Sequence, residues 1–214
     1  MGRYAEAREF DFDSLTRCRR LYGEDHQNTF ASATNLALDL IALGEVRAAC
    51  ELDEDILARR RRILGDDHPK TLLSAGNLAT GLYLLGELSA ARELNEDTLA
   101  RRRRVLGDDH PETLMSANNL AFDLRALGEM QAARELDADT LARRRRILGD
   151  DHPDTLESAT NLAFDLREAG EVRAACELDE DVLARRRRVL GEDHPDTQKS
   201  IRNLAADLRA LGEA

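Results

Sequence analysis

Three sets of side chains in this 214-residue chain are of types that could do chemistry. Histidines 26, 68, 110, 152 and 194 each follow an aspartate, as ligands and acid–base pairs often do. Runs of four arginines occupy 59–62, 101–104, 143–146 and 185–188, and any one alone reads as a nucleic-acid or nuclear-import patch. Cysteines stand at 18, 50 and 176. Spacing removes most of this chemistry. The histidines recur every 42 residues, so neighbours lie about two helix diameters apart, whereas a metal–nitrogen bond is about 2.0–2.1 Å. Helix capping or inter-repeat hydrogen bonding is their expected role. Four consecutive helical residues fan over about 300°, so an arginine run cannot face one ligand. Asp55–Arg59, Asp97–Arg101, Asp139–Arg143 and Asp181–Arg185 are (i, i+4) pairs with the acid on the favoured side. The runs also fall in last turns, where cations complement the helix dipole. They predict a salt lattice on the outer face. Arg102, on the apolar stripe between Leu99 and Val105, is expected to bury its stem and turn its head outward. The cysteines sit at helix-surface positions with no histidine partner. There is no glycine-rich phosphate loop, Gly-x-Ser-x-Gly or His-Glu-x-x-His. The expectation is a protein that is not an enzyme and needs no metal or cofactor.

Composition narrows the partners. Acidic residues number 42 against 31 basic ones, a formal net charge of −11, which argues against nucleic acid and anionic membranes. Three cysteines, an odd number, speak against a disulfide framework and for a reducing, cytoplasmic setting. No apolar run reaches the roughly 18 residues of a membrane span. Aromatics are 4% of the chain, so leucine and alanine must fill the core.

The elements that carry these residues repeat. Glycines 23, 65, 107, 149 and 191, and again 44, 86, 128, 170 and 212, keep the 42-residue period, and residues 65–106 share 30 of 42 identities with 107–148. Such a period means stacked units that cannot bury their apolar faces alone. Each unit reads as two helices. One runs from about Pro69 to Leu85 with Leu72, Ala75, Leu78, Ala79, Leu82 and Leu85 as its stripe. The other runs to Leu106 and carries Leu88, Ala91, Leu94, Thr98 and Leu99, with Ala91 small enough for close helix approach. Gly65 suits a left-handed helix end, Pro69 suits a first turn, and Asp67 or His68 is the N-cap. The plan is one all-α domain: a lone second helix over 1–22, full repeats over 23–64, 65–106, 107–148 and 149–190, and a lone first helix over 191–214.

Asn77-Leu78-Ala79, Leu85-Gly86-Glu87, Ala91 and Leu106-Gly107-Asp108-Asp109-His110-Pro111 resemble the 42-residue tetratricopeptide repeats of kinesin light chains. They are also similar to the arrays that follow the nucleotide-binding domain of STAND-type signalling NTPases. The resemblance implies a right-handed α-solenoid of about ten antiparallel helices, with first helices lining a concave groove. It implies a protein-interaction scaffold for a protein or peptide ligand.

On that geometry the groove positions of the second unit are Leu73, Gly76, Asn77, Thr80, Tyr83 and Leu84, and those of the third are Met115, Asn118, Asn119, Phe122, Arg125 and Ala126. Five of these six differ between the units, against seven of the other 36. The scaffold repeats while the groove varies, as a surface that reads a ligand would. One groove position is constant: Asn35, Asn77, Asn119, Asn161 and Asn203. A ladder of carboxamides, each both donor and acceptor, can grip an extended main chain, and the resemblance implies that use. Bonding to the neighbouring helix is the alternative. Leu73, Tyr83, Phe122 and Phe164 offer apolar anchors, unless the phenylalanines are core. Arg125, Arg167, Arg202 and Arg209, with Lys199, are opposed only by Glu157 and Glu168, which predicts a ligand with acidic groups toward the C-terminal half. Two other readings stay open: head-to-tail self-association through the terminal helices, and the sensor arm of a signalling NTPase. Glycines 76 and 81 mark either close approach of a ligand or drift.

Overall fold

The computed structural model describes residues 2–212, with side chains from residue 6 onward, and every regular element among them is a helix. In chain order these are α1 (Gly2–Tyr22), α2 (Gln27–Ala42), α3 (Val46–Leu64), α4 (Pro69–Leu85), α5 (Leu88–Leu106), α6 (Pro111–Ala126), α7 (Met130–Leu148), α8 (Pro153–Glu168), α9 (Val172–Leu190) and α10 (Pro195–Leu211). The chain is an all-α helical-repeat solenoid. The helices group into two compact units, Met1–Val105 and Leu106–Ala214. Within the first, α1 packs on α2, α2 on α3 and α3 on α4. Within the second, each of α6 to α9 packs on the next.

Each first helix starts on a histidine. His68 has extended backbone (φ −70, ψ 135), and its Nδ1 accepts the Lys70 N–H at 3.1 Å. His26, His110, His152 and His194 do the same at 3.2 Å. The open choice between Asp67 and His68 falls to the imidazole, which satisfies one orphan donor of the first turn. Helix ends are of two kinds. Gly65 corrects the expectation of a left-handed end: it pairs positive φ (86) with an extended ψ (163), a region open only to glycine, whereas Gly86 is the left-handed one (φ 81, ψ 9). The Gly65 geometry sends the chain straight from the second helix into the Asp-Asp-His turn.

The core follows the apolar stripes. Ala49, Ala91, Ala133 and Ala175 are 0% exposed, so the backbones approach closely there. Leu141, Leu156, Ala159 and Val182 form a core cluster across α7, α8 and α9. Three expectations need correction. Val105 is exposed. Cys50 and Cys176 are buried, not on the helix surface. Arg102 is only 2% exposed and its head does not reach solvent. Its counterparts show why such a position is interior. Arg60 donates from Nη1 to the Lys70 carbonyl (2.9 Å) and Ser74 Oγ (2.6 Å) on the following first helix. Arg144 does so to Asp154 O (2.9 Å) and Ser158 Oγ (2.8 Å), and Arg186 to Asp196 O (3.3 Å) and Ser200 Oγ (2.7 Å). The guanidinium is held inside because polar partners meet it there.

The outer arginines form the lattice that the spacing predicts. Arg143 bonds Asp139 at 2.7 Å and reaches back to Asp109 at 3.0 Å, which Arg146 also holds at 2.6 Å. Arg59 and Arg62 hold Asp25 in the same way, Arg101 and Arg104 hold Asp67, and Arg185 and Arg188 hold Asp151. These hydrogen bonds keep the four aspartates below the usual carboxylate range. The aspartate side chains are about half exposed to solvent, so the lattice contributes more to register than to stability.

A second charge system is buried. Arg125 on α6 ion-pairs with Asp137 on α7 and with Asp165 on α8, the latter at 2.5 Å. Arg167 on α8 repeats this with Asp179 on α9 at 2.8 Å and with Asp207 on α10. One cation thus faces two buried carboxylates, and burial leads in raising Asp137 and Asp179 above the normal range, with the neighbouring aspartate adding to it. In the first unit the set is dismantled: Ile41 stands in the arginine position and Gly81 in that of Asp165. A Cβ on Gly81 would lie 2.6 Å from Cys50 Sγ, so a side chain there would displace the thiol from its present position. Asp53 remains, 2% exposed and with a buried oxygen that no group bonds. Burial pushes it up to about 6, with only the Arg60 charge pulling the other way.

A carboxyl whose pKa rises on folding favours the folded state at low pH. That favour is lost as pH climbs from about 4 through 6. The next repeat carries Asn95 at this position, also buried. Asp53→Asn is therefore expected to raise the unfolding free energy by about 2–3 kcal/mol at pH 8 and progressively less toward pH 4, as denaturant titrations at both pH values would show. Ser158→Ala, which takes an acceptor from the buried Arg144 head, should cost about 1–2 kcal/mol in the same assay.

Candidate functional site

The first helices of the second unit, α6, α8 and α10, turn their leucine–alanine stripes inward and leave Asn119, Asn161 and Asn203 half-buried on the other side. In the first unit Asn35 is exposed and Asn77 half-buried. No hydrogen bond joins any of the five carboxamides to another described residue.

Asn119 and Asn161 line one open cleft of about 420 Å³ between α6 and α8, together with Met115, Asn118, Phe122, Arg144, Asp154 and Glu157. Asn118 stands out within it. At the same position α2 and α8 carry Thr34 and Thr160, whose hydroxyls donate back to the Phe30 and Leu156 carbonyls at 2.9 and 2.8 Å. Asn118 makes no such bond. It is 9% exposed, and its buried Oδ1 has no partner, a state that costs about 1–3 kcal/mol.

The remaining site residues fall into three groups. Phe122 and Phe164 are 49% and 44% exposed, so they are not core. The Arg125 guanidinium lies 5.0 Å from the Phe122 ring centre and 5.9 Å from that of Phe164, which ties the two rings together across the helices. Arg125 and Arg167 correct the expectation drawn from their position. Neither is a free cation of the hollow, because each is bound between two buried aspartates. Arg202 and Arg209, with Lys199, are exposed on α10 and make no ion pair among the described residues. In the first unit Leu73 is exposed on α4 and Tyr83 is half-buried.

Sequence reasoning missed the paired aspartates and the orphaned oxygen of Asn118. A signal for the first was present: Asp137 and Asp179 keep the 42-residue period, as do Asp165 and Asp207. Acids recurring in phase beside an apolar stripe need a buried cation. Among the described residues no group of three or more histidine, cysteine or acidic side chains is placed to hold a metal. No described helix is long and apolar enough to cross a membrane.

Family profiles described as "Tetratricopeptide repeat" match residues 1–28, 113–154 and 155–196, and a second such profile matches 29–104. Among curated proteins the comparison finds no match. Among solved structures, the nearly identical TPR-like repeats from Podosopora anserina, described as kinesin light chain, are 31% identical with a TM-score of 0.76. The match covers 88% of this chain and 90% of that one. The structure of a point variant of those repeats gives 31% identity and a TM-score of 0.78 over 87% of this chain and 88% of the variant. BtubC (BKLC) from P. vanneervenii shares the fold at 21% identity, with a TM-score of 0.85 over 98% of this chain and 85% of that one. The 42-residue helix pairs, their shared capping and these matches agree: the chain belongs to the tetratricopeptide repeat family, as an array of the kinesin light chain type, a class of protein-interaction scaffold.

Proposed function

We propose that the array is a non-catalytic scaffold that binds an extended peptide segment of a partner protein along the outward side of its first helices. The observation that carries this reading is the set of in-phase carboxamides without a bond inside the fold, Asn119, Asn161 and Asn203 in the second unit and Asn35 and Asn77 in the first. Packed helices sit about 10 Å apart and an extended chain advances about 3.3 Å per residue, so successive carboxamides meet the ligand at intervals of about three residues or a small multiple of that. Each can accept a peptide N–H and donate to a peptide C=O whatever the side chains are. Selectivity then falls to the positions that vary. Leu73 and Tyr83 offer apolar contact in the first unit. Phe122 and Phe164 present apolar ring surface beside Asn119 and Asn161. On α10, Arg202 and Arg209 attract acidic groups, a role that Arg125 and Arg167 cannot share.

A peptide library selected on the intact chain supplies the probe. For peptides that contact the second unit, Asn119→Ala with Asn161→Ala should weaken binding at least about tenfold, with an unchanged thermal midpoint. Unaltered affinity would refute the ladder. Arg202→Glu with Arg209→Glu should weaken the acidic members of the selected set several-fold and spare the neutral ones. Equal losses in both classes would remove the acidic preference.

A further inference from the structure

We infer that α10 of one copy of this chain docks head to tail on α1 and α2 of a second copy, so that Arg209 completes a charge set with the second copy's Asp11 and Asp39. This goes beyond the peptide reading of the hollow and does not rest on it. The first support is a matching pair of open helix faces. On α1, Ala7 holds the position of Ala49, Ala91, Ala133 and Ala175, which are 0% exposed, yet Ala7 is only half-buried. On α10, Ala205 holds the position of Ala79, Ala121 and Ala163, also 0% exposed, and it too is half-buried. Phe10 is 72% exposed, whereas its counterpart Leu52 packs against the core. Inside the chain two such faces meet: Leu36, Ala37 and Leu40 of α2 share one core cluster with Ala49 and Ile56 of α3. Their counterparts are Leu204, Ala205 and Leu208 on α10, and Ala7 and Ser14 on α1. One copy therefore offers the face that another lacks, the condition for a heterologous contact.

Charge decides what covers them. Arg125 and Arg167 each stand between an aspartate on the second helix of their own repeat and one on the next first helix. By the period, Arg209 is the third such arginine, and the positions of its two aspartates lie beyond residue 214. It is exposed and makes no ion pair among the described residues. Asp11 and Asp39 hold the two acid positions on α1 and α2, and the arginine that they match would precede residue 1. Neither makes an ion pair among the described residues. Burial, and then the Asp39 charge beside it, raises the Asp11 carboxyl above its ordinary range. In the complete sets Asp165 and Asp207 turn Oδ1 to the guanidinium and leave Oδ2 buried and unbonded. Asp39 Oδ2 is buried and unbonded in the same way, so this carboxylate has their pose. The joint of α1 with α2 also repeats that of α7 with α8: Arg8 bonds Glu45 at 2.9 Å as Arg134 bonds Glu171 at 2.5 Å. A cation without its acids and two acids without their cation thus stand beside complementary halves of one apolar face, and a second copy carries both parts in register. The contact runs over Leu204 to Arg209 and Ala7 to Ser14. It stays clear of the four positions of the period that residues 1–4 and 211–214 share, where one of the two ends must give way. Arg209 then serves either the joint or an acidic group of a peptide, not both at once.

Sedimentation equilibrium of the intact chain is the test. The weight-average mass should climb above that of a monomer as concentration rises from about 1 μM to about 1 mM. Arg209→Glu removes the cation from α10, and Asp11→Lys sets a cation beside Asp39 within its own chain. Each variant should weaken self-association at least about tenfold while its helical circular dichroism is unchanged. Mixed together, the two variants keep one sound α10 and one sound α1–α2 face between them, so they should form a 1:1 dimer that grows no further. Asn119→Ala with Asn161→Ala should associate as the unaltered chain does. An unaltered chain that stays monomeric to about 1 mM would overturn the contact and leave these faces to a different partner. So would undiminished association in either variant, or a mixture of the two that stays monomeric or grows past two. Loss of association in the asparagine variant would place the second copy in the hollow instead and overturn the joint as well.

Discussion

The contact on which the rest depends is the buried arginine that leaves the last turns of one second helix and ends in the first turns of the next first helix. Arg144 fixes α8 at two points, a main-chain carbonyl and a serine hydroxyl four residues later. Two points on one helix face determine its rotation about its own axis. With α8 so turned, Leu156, Ala159 and Ala163 are buried, while Asn161 and Phe164 look the other way. The outward set is therefore a consequence of the inward bond. An apolar side chain in place of the arginine would fill the space, but it would not select one rotation over its neighbours so sharply.

The two charge systems divide the work. The exposed lattice of arginines on the Asp-Asp-His turns is screened by water and salt, and it aligns successive turns without contributing much energy. The buried sets centred on Arg125 and Arg167 lie in a less polarisable medium, where each carboxylate left without a full partner is costly. One guanidinium between two acids is an incomplete neutralisation, and it pushes the carboxyls toward holding a proton. The first unit avoids the arrangement by removing the cation and one acid together, with Ile41 and Gly81 in their places.

Much of this was legible in the sequence, and what was not has a common cause. Periodicity and punctuation located the helices, the alanines of close approach and the (i, i+4) pairs, because all of these are local. The histidine caps were legible to within one residue. The fate of Arg125 was not, because its partners lie 12 and 40 residues away and approach from two other helices. On a wheel drawn for α6 alone it faces the hollow. Once α8 is laid beside it, the same side chain is enclosed. Arg102 was misplaced for the same reason, since a single helix does not reveal what surrounds it in the packed array. Of the candidate site, the five in-phase asparagines could be read from register, whereas the unpartnered oxygen of Asn118 emerges only once the helices around it are packed.

The bonds that join one repeat to the next have a bearing on how such a chain can change length. Arg60 meets Ser74 at the same offset at which Arg144 meets Ser158, and the turn aspartates meet their arginines at constant offsets as well. Duplicating or excising a block of one period would hand each donor an equivalent acceptor, with no new contact to invent. Slippage between near-identical gene segments would then yield foldable longer and shorter arrays in a single event, and the outward positions could diversify afterwards one copy at a time.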